Sequence, residues 1–267
     1  MLKDVTYNDL DLKSKWEDWV RKEKSMYHYL DDKEFLRKMR RLSGEIMQNL
    51  CHMLKEEYDI GTVFNLIGSG ARNLILQNGN EKVDLDYNLE IVKYNCDYSC
   101  RDIKECVRKV FNKVLNGYGL DDCHDSKSVL TSGKISFSKG NKTEFSIDVC
   151  IVSKNNVCEY NTDGTDRRYS LCKIIHDKTG LSYMDNYFWN EIRNSSEINK
   201  KANYIKEQSR WLDVRDEYLK IKNKYLSHND PKHKKSFICY IEAVNNVYNN
   251  IRRSKDDYMC VDRYLMR

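Results

Sequence analysis

Proline is nearly absent from this chain: of 267 residues, Pro231 alone is one. That excludes proline-rich linkers, and no internal repeat or low-complexity tract divides the sequence either. The chain is therefore expected to form lobes packed on one another with a cleft between them. Long apolar runs are missing as well. No stretch approaches the ~20 apolar residues that a membrane-spanning helix needs, and Met1-Leu2-Lys3-Asp4 leads into no apolar signal segment. A soluble, cytoplasmic protein with no membrane partner is expected. Paired metal-binding cysteines are also lacking: Cys96 and Cys100 form a C-x-x-x-C spacing with no second pair and no nearby His, which argues against zinc.

Ten cysteines nonetheless remain. Cys51, Cys106, Cys150, Cys172 and Cys239 lie within or beside apolar stretches, where reduced thiols behave as small hydrophobes. A chain long enough to bury a substantial core needs no disulfide framework. Neither sign of charge dominates, since 46 Lys and Arg stand against 41 Asp and Glu for a net +5. This leans weakly toward an anionic partner, nucleotide or RNA, without requiring one.

What is present concentrates between residues 62 and 91. Read at period two, Val83, Leu85, Tyr87, Leu89 and Ile91 fall on one face of a strand, and Asp84, Asp86, Asn88 and Glu90 on the other. Just upstream, residues 62–67 form a short, largely apolar run ending in Gly68-Ser69-Gly70. Such a loop lets backbone approach a ligand closely and point amide hydrogens outward. Residues 143–152 repeat the two-faced pattern, with Phe145, Ile147, Val149 and Ile151 one way and Glu144, Ser146 and Asp148 the other. Between 132–138 and this run, Gly140-Asn141 is a two-residue hairpin signal. It predicts that the two segments pair, making Asp148 available as a third acid.

Alternate side chains of a strand emerge about 6.5 Å apart, so Asp84 and Asp86 can converge on one hard cation, with Asp148 completing a two-metal cradle. Left bare, two carboxylates ~4 Å apart repel by roughly 4 kcal/mol at an effective dielectric of about 20. That exceeds the ~1 kcal/mol span of β-propensity. A divalent metal is the simplest remedy.

In their order these residues resemble the polymerase-β-like nucleotidyltransferase superfamily: a Gly-Ser loop after an apolar run, Asp-x-Asp flanked by apolar residues, then one Asp on a later strand, over residues 61–153. The resemblance implies an α/β (α+β) fold with a small mixed-sheet nucleotidyltransferase core, in which Gly68 and Ser69 bind the triphosphate of an NTP such as ATP. It also implies that Asp84, Asp86 and Asp148 are catalytic and hold two Mg2+ ions, with Mn2+ as the alternative metal. The implied reaction moves a nucleoside monophosphate from an NTP to a hydroxyl acceptor, whether a small molecule, an RNA end, a protein or a second nucleotide. The chain departs from the pattern in two places. Fourteen residues, 70–83, separate Ser69 from Asp84, and Arg72-Asn73 stands where many members have smaller residues.

Blander readings stand beside this one. Asp-x-Asp by itself also describes a solvated sheet face, and Gly-Ser-Gly by itself a turn; their order is what selects. The rival from another class is a non-catalytic nucleotide- or RNA-binding module on the same fold. Three intact acids argue against it, because binding alone has no use for their repulsion.

Around the core (61–180) the patterns predict N-terminal helices (1–60) and a C-terminal helical lobe (181–267). Residues 8–58 read as helices, with Trp16 and Trp19 packing on the first. Asp31 with Glu34 caps the next, whose stripe runs through Phe35, Met39, Leu42, Ile46, Leu50, Met53 and Leu54. Ser99 with Asp102 starts a helix through Ile103, Cys106, Val107, Val110, Phe111 and Val114 that stops near Gly117 and Gly119 and is expected to cover the sheet. Residues 159–165 read as an exposed loop and 167–175 as one more strand, with Arg167-Arg168 either a solvated edge or a phosphate contact. His176 is either a base or structural. From 181 the pattern is helical: Asp230 caps a helix opened by Pro231, and Phe237, Ile241, Val244, Tyr248 and Ile251 follow at helical spacing. Tyr218, Tyr225, Tyr240 and Tyr248 are open to stacking on a base or to core packing. Lys220, Lys222, Lys224, Lys232, Lys234 and Lys235 are open to meeting triphosphate or to forming a solvated face.

Overall fold

The structure is a computed structural model that describes residues 26–79, 81–95, 97–154, 171–178, 186–192, 195–227 and 235–265, with backbone alone for 226–227 and 255–265. In chain order the first elements are β1 (Tyr27–Tyr29), α1 (Lys33–Tyr58), β2 (Gly61–Leu66), α2 (Gly68–Arg72), β3 (Leu76–Asn78), β4 (Val83–Lys93) and α3 (Cys100–Gly117). They are followed by β5 (His124–Asp125), β6 (Leu130–Thr131), β7 (Phe145–Ser153), β8 (Cys172–Asp177), β9 (Asn186–Glu191), α4 (Ser196–Glu207), α5 (Trp211–Ser227) and α6 (Ser236–Leu265). The fold is mixed α/β. The chain groups into two compact units, one of Asp31–Ile75 with Lys82–Glu197, the other of Met1–Leu30 with Leu76–Glu81 and Ile198–Arg267.

In the first unit, β4 alternates as the period-two pattern requires, and Val83, Leu85, Tyr87, Leu89 and Ile91 are all buried. β2 pairs with it antiparallel on one edge and β7 pairs parallel on the other. The sheet runs β2-β4-β7-β6-β5, with β8 on β7 and β9 on β8. Parallel neighbours cannot be joined by a tight turn, and α3 lies in the crossover between β4 and β7. As predicted, Ser99 and Asp102 form a reciprocal capping box at the start of α3. The apolar sheet face meets α1: the Phe35 ring stands edge-on to Phe145 with centroids 6.3 Å apart, and Ser43 Oγ lies 2.7 Å from the Tyr87 hydroxyl. Helices α1 and α3 are tied together by Lys113 and Glu57 at 2.6 Å.

Several expectations are corrected. Within the stretch read as helices, 8–58, residues Tyr27–Tyr29 are a strand, paired with Leu76–Asn78. The cap of α1 is Asp32 rather than Asp31, its carboxylate accepting from the Phe35 amide at 2.9 Å. Ser43 and Met47 are buried in the α1 stripe where Leu42 and Met53 are only half-buried. The expected pairing is present in part but through a wider connection than a two-residue hairpin: β7 pairs with Leu130–Thr131, the Ser132 amide donates to the Ile147 carbonyl at 2.9 Å, and Ile135 bridges Phe145. Gly140, at φ 85°, bends the chain outside any ladder. Past residue 181 the chain is not wholly helical, since Asn186–Glu191 is a strand paired with β8. Its Tyr187-Phe188-Trp189 run carries the aromatic residues that pleated surfaces favour. The added strand expected at 167–175 is Cys172–Asp177. Trp16, Trp19, 159–165, Arg167, Arg168, Asp230, Pro231, Lys232 and Lys234 lie outside the described residues.

The second unit holds β1, β3 and the helices from Ile198 onward. The Asn223 side chain extends the β1 edge as a strand would, accepting from the Tyr27 amide at 2.7 Å and donating to its carbonyl at 3.0 Å. Tyr218 and Tyr240 are buried, which selects core packing for both. Lys222 is packed over the Tyr27 ring at 4.4 Å, and burial pushes its ammonium pKa down. On α6 the buried stripe is Cys239, Tyr240, Ala243, Val244, Val247 and Ile251, rotated from the predicted one so that Phe237 is exposed. Among the described residues, no helix is long and apolar enough to cross a membrane.

Candidate active site

Parallel pairing of β4 and β7 sets Asp86 directly beside Asp148, and Asp84 beside Ser146. Neighbouring strands lie about 4.8 Å apart, so the acids form one row across two strands on the face opposite the apolar core. The hairpin argument brought Asp148 to this face for an incomplete reason. Asp148 also faces Thr131 across β6, but it is the parallel ladder that joins it to the Asp-x-Asp pair.

The row is electrostatically uneven. Burial, then the Asp148 and Asp84 charges, push the Asp86 carboxyl up to about 6, with the Arg72 guanidinium pulling the other way. Asp148 is also raised, first by burial and then by Asp84, against a hydrogen bond from Thr131 and the charge of Lys82. Its Oδ1 is buried with no hydrogen-bond partner among the described residues. Asp84 is differently placed: half-exposed, it accepts from the Ser146 hydroxyl and pairs with Lys82 Nζ at 3.2 Å.

The Gly-Ser loop closes over this row. The Ile67 amide donates to the Asp86 carbonyl at 2.8 Å, pinning the loop to β4. Gly68 follows at φ 64°, and a Cβ there would lie 2.3 Å from Asp86 Oδ2, so only glycine fits. The loop is fastened through its carbonyls, Gly68 O accepting from Arg72 Nη1 at 3.0 Å and Gly70 O from Arg40 Nη2 at 3.0 Å. Arg40 also donates to Asn73 Oδ1 at 2.8 Å. Ser69 is partly exposed in the first turn of the five-residue α2. The long gap between Ser69 and Asp84 holds β3, which belongs to the other compact unit.

Among the described residues, no three His, Cys, Asp or Glu side chains stand as a ready-made metal-ligand set. Asp84 is turned toward Ser146 and Lys82. The donors nonetheless suit a hard divalent cation, being carboxylate oxygens, one of them buried and unsatisfied. Zinc-type chemistry is not suggested; Cys150, on the same face, has its thiol pushed up to about 11, chiefly by burial.

Lys82, Thr131, Arg40 and Arg72 were not picked out as site residues from the sequence. Lys82 and Ser146 each sit two positions before an acid of the row, so strand parity was the signal available for both. His176 is not at this site. Its Nδ1 lies 2.7 Å from Asp125 Oδ2, its ring stacks on Tyr187 at 4.1 Å, and Asp125 pairs with the buried Lys104 at 2.7 Å. Asp125 stands opposite Leu130, which stands opposite Val149, so this cluster lies on the core-facing side of the sheet.

The protonation of Asp86 makes a stability prediction. A carboxyl raised in the folded state binds its proton more tightly folded than unfolded, so its contribution is fully present below about pH 4 and is lost as pH rises to about 6 and beyond. For Asp86 the loss is on the order of 3 kcal/mol. In chelator, the melting temperature should fall across that window, and Asp86→Asn should flatten the fall. An unchanged pH slope in the variant would show that another group takes up the proton.

No family model matches the chain, and no curated protein matches it. Solved structures do. The chain is similar to the Rhodothermus marinus CdnE c-UMP-AMP synthase with Apcpp and Upnpp, at 13% identity and TM-score 0.46, over 77% of this chain and 69% of that one. It is similar to E. coli MS115-1 CdnC with ATP, at 13% identity and TM-score 0.48, over 85% of this chain and 64% of that one. A third is the Elizabethkingia meningoseptica CdnE cyclic dinucleotide synthase with GTP and Apcpp, at 12% identity and TM-score 0.47, over 78% and 69%. The chain spans about two thirds of the length of these structures.

Proposed function

We propose that the protein is a metal-dependent nucleotidyltransferase that transfers a nucleoside monophosphate from an NTP to a hydroxyl acceptor. The observation that carries this reading is the register of Asp86 with Asp148 beneath the Gly68 loop, which leaves a buried, unpartnered carboxylate oxygen beside a carboxyl raised to about 6. A module that only binds nucleotide gains nothing from such a row, and an unsatisfied buried oxygen costs about 1–3 kcal/mol. Asp84, Asp86 and Asp148 would hold the cations, Mg2+ or Mn2+. When bound, such cations supply positive charge that makes an acceptor hydroxyl more acidic and stabilises the leaving pyrophosphate.

The chain's own residues do the rest. Gly68, lacking a side chain, lets the triphosphate approach the backbone, and the Ser69 hydroxyl donates to it. Arg40 and Arg72 fix the loop from behind through its carbonyls, leaving its amides to face the nucleotide. Thr131 keeps Asp148 oriented toward Asp86. The acceptor is a small molecule, an RNA end, a protein or a second nucleotide.

Because a ligand that binds only the folded state stabilises it, saturating Mn2+ with the correct NTP should raise the melting temperature by about 5 °C. Asp86→Asn should abolish most of that rise. No shift with any of the four NTPs would contradict the site.

A further inference from the structure

The acid row has a cation of its own. Among the described residues, the ammonium of Lys82 is what touches it: Nζ lies 3.2 Å from Asp84 Oδ1 and 3.2 Å from Ser146 Oγ. Ser146 is fully buried and donates its hydroxyl to the same Asp84 oxygen. Asp84 Oδ1 therefore carries two donors, and a carboxylate oxygen has about two lone-pair sites. A cation that is to use this oxygen must displace one of them. Ser146 is locked in the sheet, whereas the Lys82 side chain is 40% exposed on a flexible stem. The ammonium is the donor that can leave, and repulsion between like charges drives it out.

Resting on the reading of Asp84, Asp86 and Asp148 as cation ligands, we propose that Lys82 is the resident counter-ion of the row. It is a positioning residue: it holds Asp84 beside Ser146 while no divalent cation is present, competes with that cation for Asp84 Oδ1, and so sets the metal concentration at which the site fills. The exchange of one cation for another keeps Asp84 compensated throughout.

The test is a titration of the full chain with Mn2+ alone, without nucleotide, read both as bound Mn2+ by electron paramagnetic resonance and as melting temperature. Lys82→Met should lower the half-saturating Mn2+ concentration by about fivefold, the factor corresponding to an exposed ion pair at the upper end of its usual strength. Lys82→Arg, which keeps the charge and the reach, should titrate like wild type. Lys154→Met removes another ion pair, to Glu90 at 2.8 Å on the same sheet face, and should move the midpoint by less than about twofold if position rather than general charge matters. Lys82→Gln is the second variant should the methionine fail to fold. Unchanged or higher midpoints in the Met or Gln variant overturn the role of Lys82 while leaving the metal site standing, and so does a Lys154→Met shift as large as that of Lys82→Met. A wild-type chain that takes up no Mn2+ overturns the site and this role together.

Discussion

Asp148→Asn is expected to lower turnover several-hundredfold while leaving NTP affinity within about tenfold of wild type. The substitution keeps the shape and one acceptor oxygen, and Thr131 can still donate to it, but it removes the negative charge beside Asp86. Losing a preorganised electrostatic contact made chiefly in the transition state costs roughly 3–4 kcal/mol, by analogy with removal of one oxyanion donor. Stability moves the other way. Burial and Asp84 raise the Asp148 carboxyl in the folded protein, so its ionised form is a destabilising element at neutral pH. The metal-free variant should therefore melt at or above the wild-type temperature. Steady-state kinetics with NTP titration, alongside a thermal scan in chelator, reads both effects. Wild-type turnover would remove Asp148 from the site; a destabilised variant with proportionate loss of binding would make it a structural residue.

Gly68→Ala is the second large effect. Two independent costs meet at this position. A φ of 64° is a left-handed conformation that disfavours side-chain-bearing residues by about 1–2 kcal/mol, and the new Cβ would stand 2.3 Å from Asp86 Oδ2. Either the loop retreats or the Asp86 carboxylate turns away. Each response misplaces a group that must be held to a fraction of an ångström, and a shift of about 1 Å costs on the order of a hundredfold in rate. The expected result is a folded protein with turnover down about a hundredfold and NTP-dependent stabilisation largely lost. Gly44, in α1, is the control, since a Cβ there meets nothing within 4 Å. Gly44→Ala should leave turnover unchanged. Full activity in Gly68→Ala would mean that the loop closes over Asp86 without needing the contact seen here.

These effects trace back to residues that differ in how far the sequence exposes them. The row of acids was legible because strand parity is local: Val83 through Ile91 alternate without a break, and the faces of Phe145 through Ile151 sort themselves the same way. Capping of α3 by Ser99 and Asp102 was legible for the same reason, both partners lying within one helical turn. Pairing is not local. Nothing in residues 83–93 or 145–153 states that they run parallel, and the Gly140-Asn141 signal pointed to a tight hairpin where the chain makes a wide connection. Tyr27–Tyr29 is three residues long, and its partner strand begins at Leu76, so the stretch carried no period long enough to outweigh the helical pattern around it. Lys82 escaped notice because it stands outside β4, although its position continues the phase of Asp84 and Asp86. Arg40 reaches the loop from a helix thirty residues upstream, which only the packed structure reveals.

The proposed reaction breaks an NTP at this site and passes its nucleoside monophosphate to an acceptor hydroxyl. It is tested most directly by incubating the full chain with each of the four NTPs, singly and in pairs, with Mg2+ or Mn2+, and resolving all products by mass. Pyrophosphate should appear together with a species heavier by one nucleoside monophosphate, formed either without an added acceptor or on supplying one, and formed by neither Asp86→Asn nor Asp148→Asn. NTPs recovered intact from every mixture, while metal and nucleotide still raise the melting temperature, would contradict it and leave a protein that binds nucleotide without transferring it.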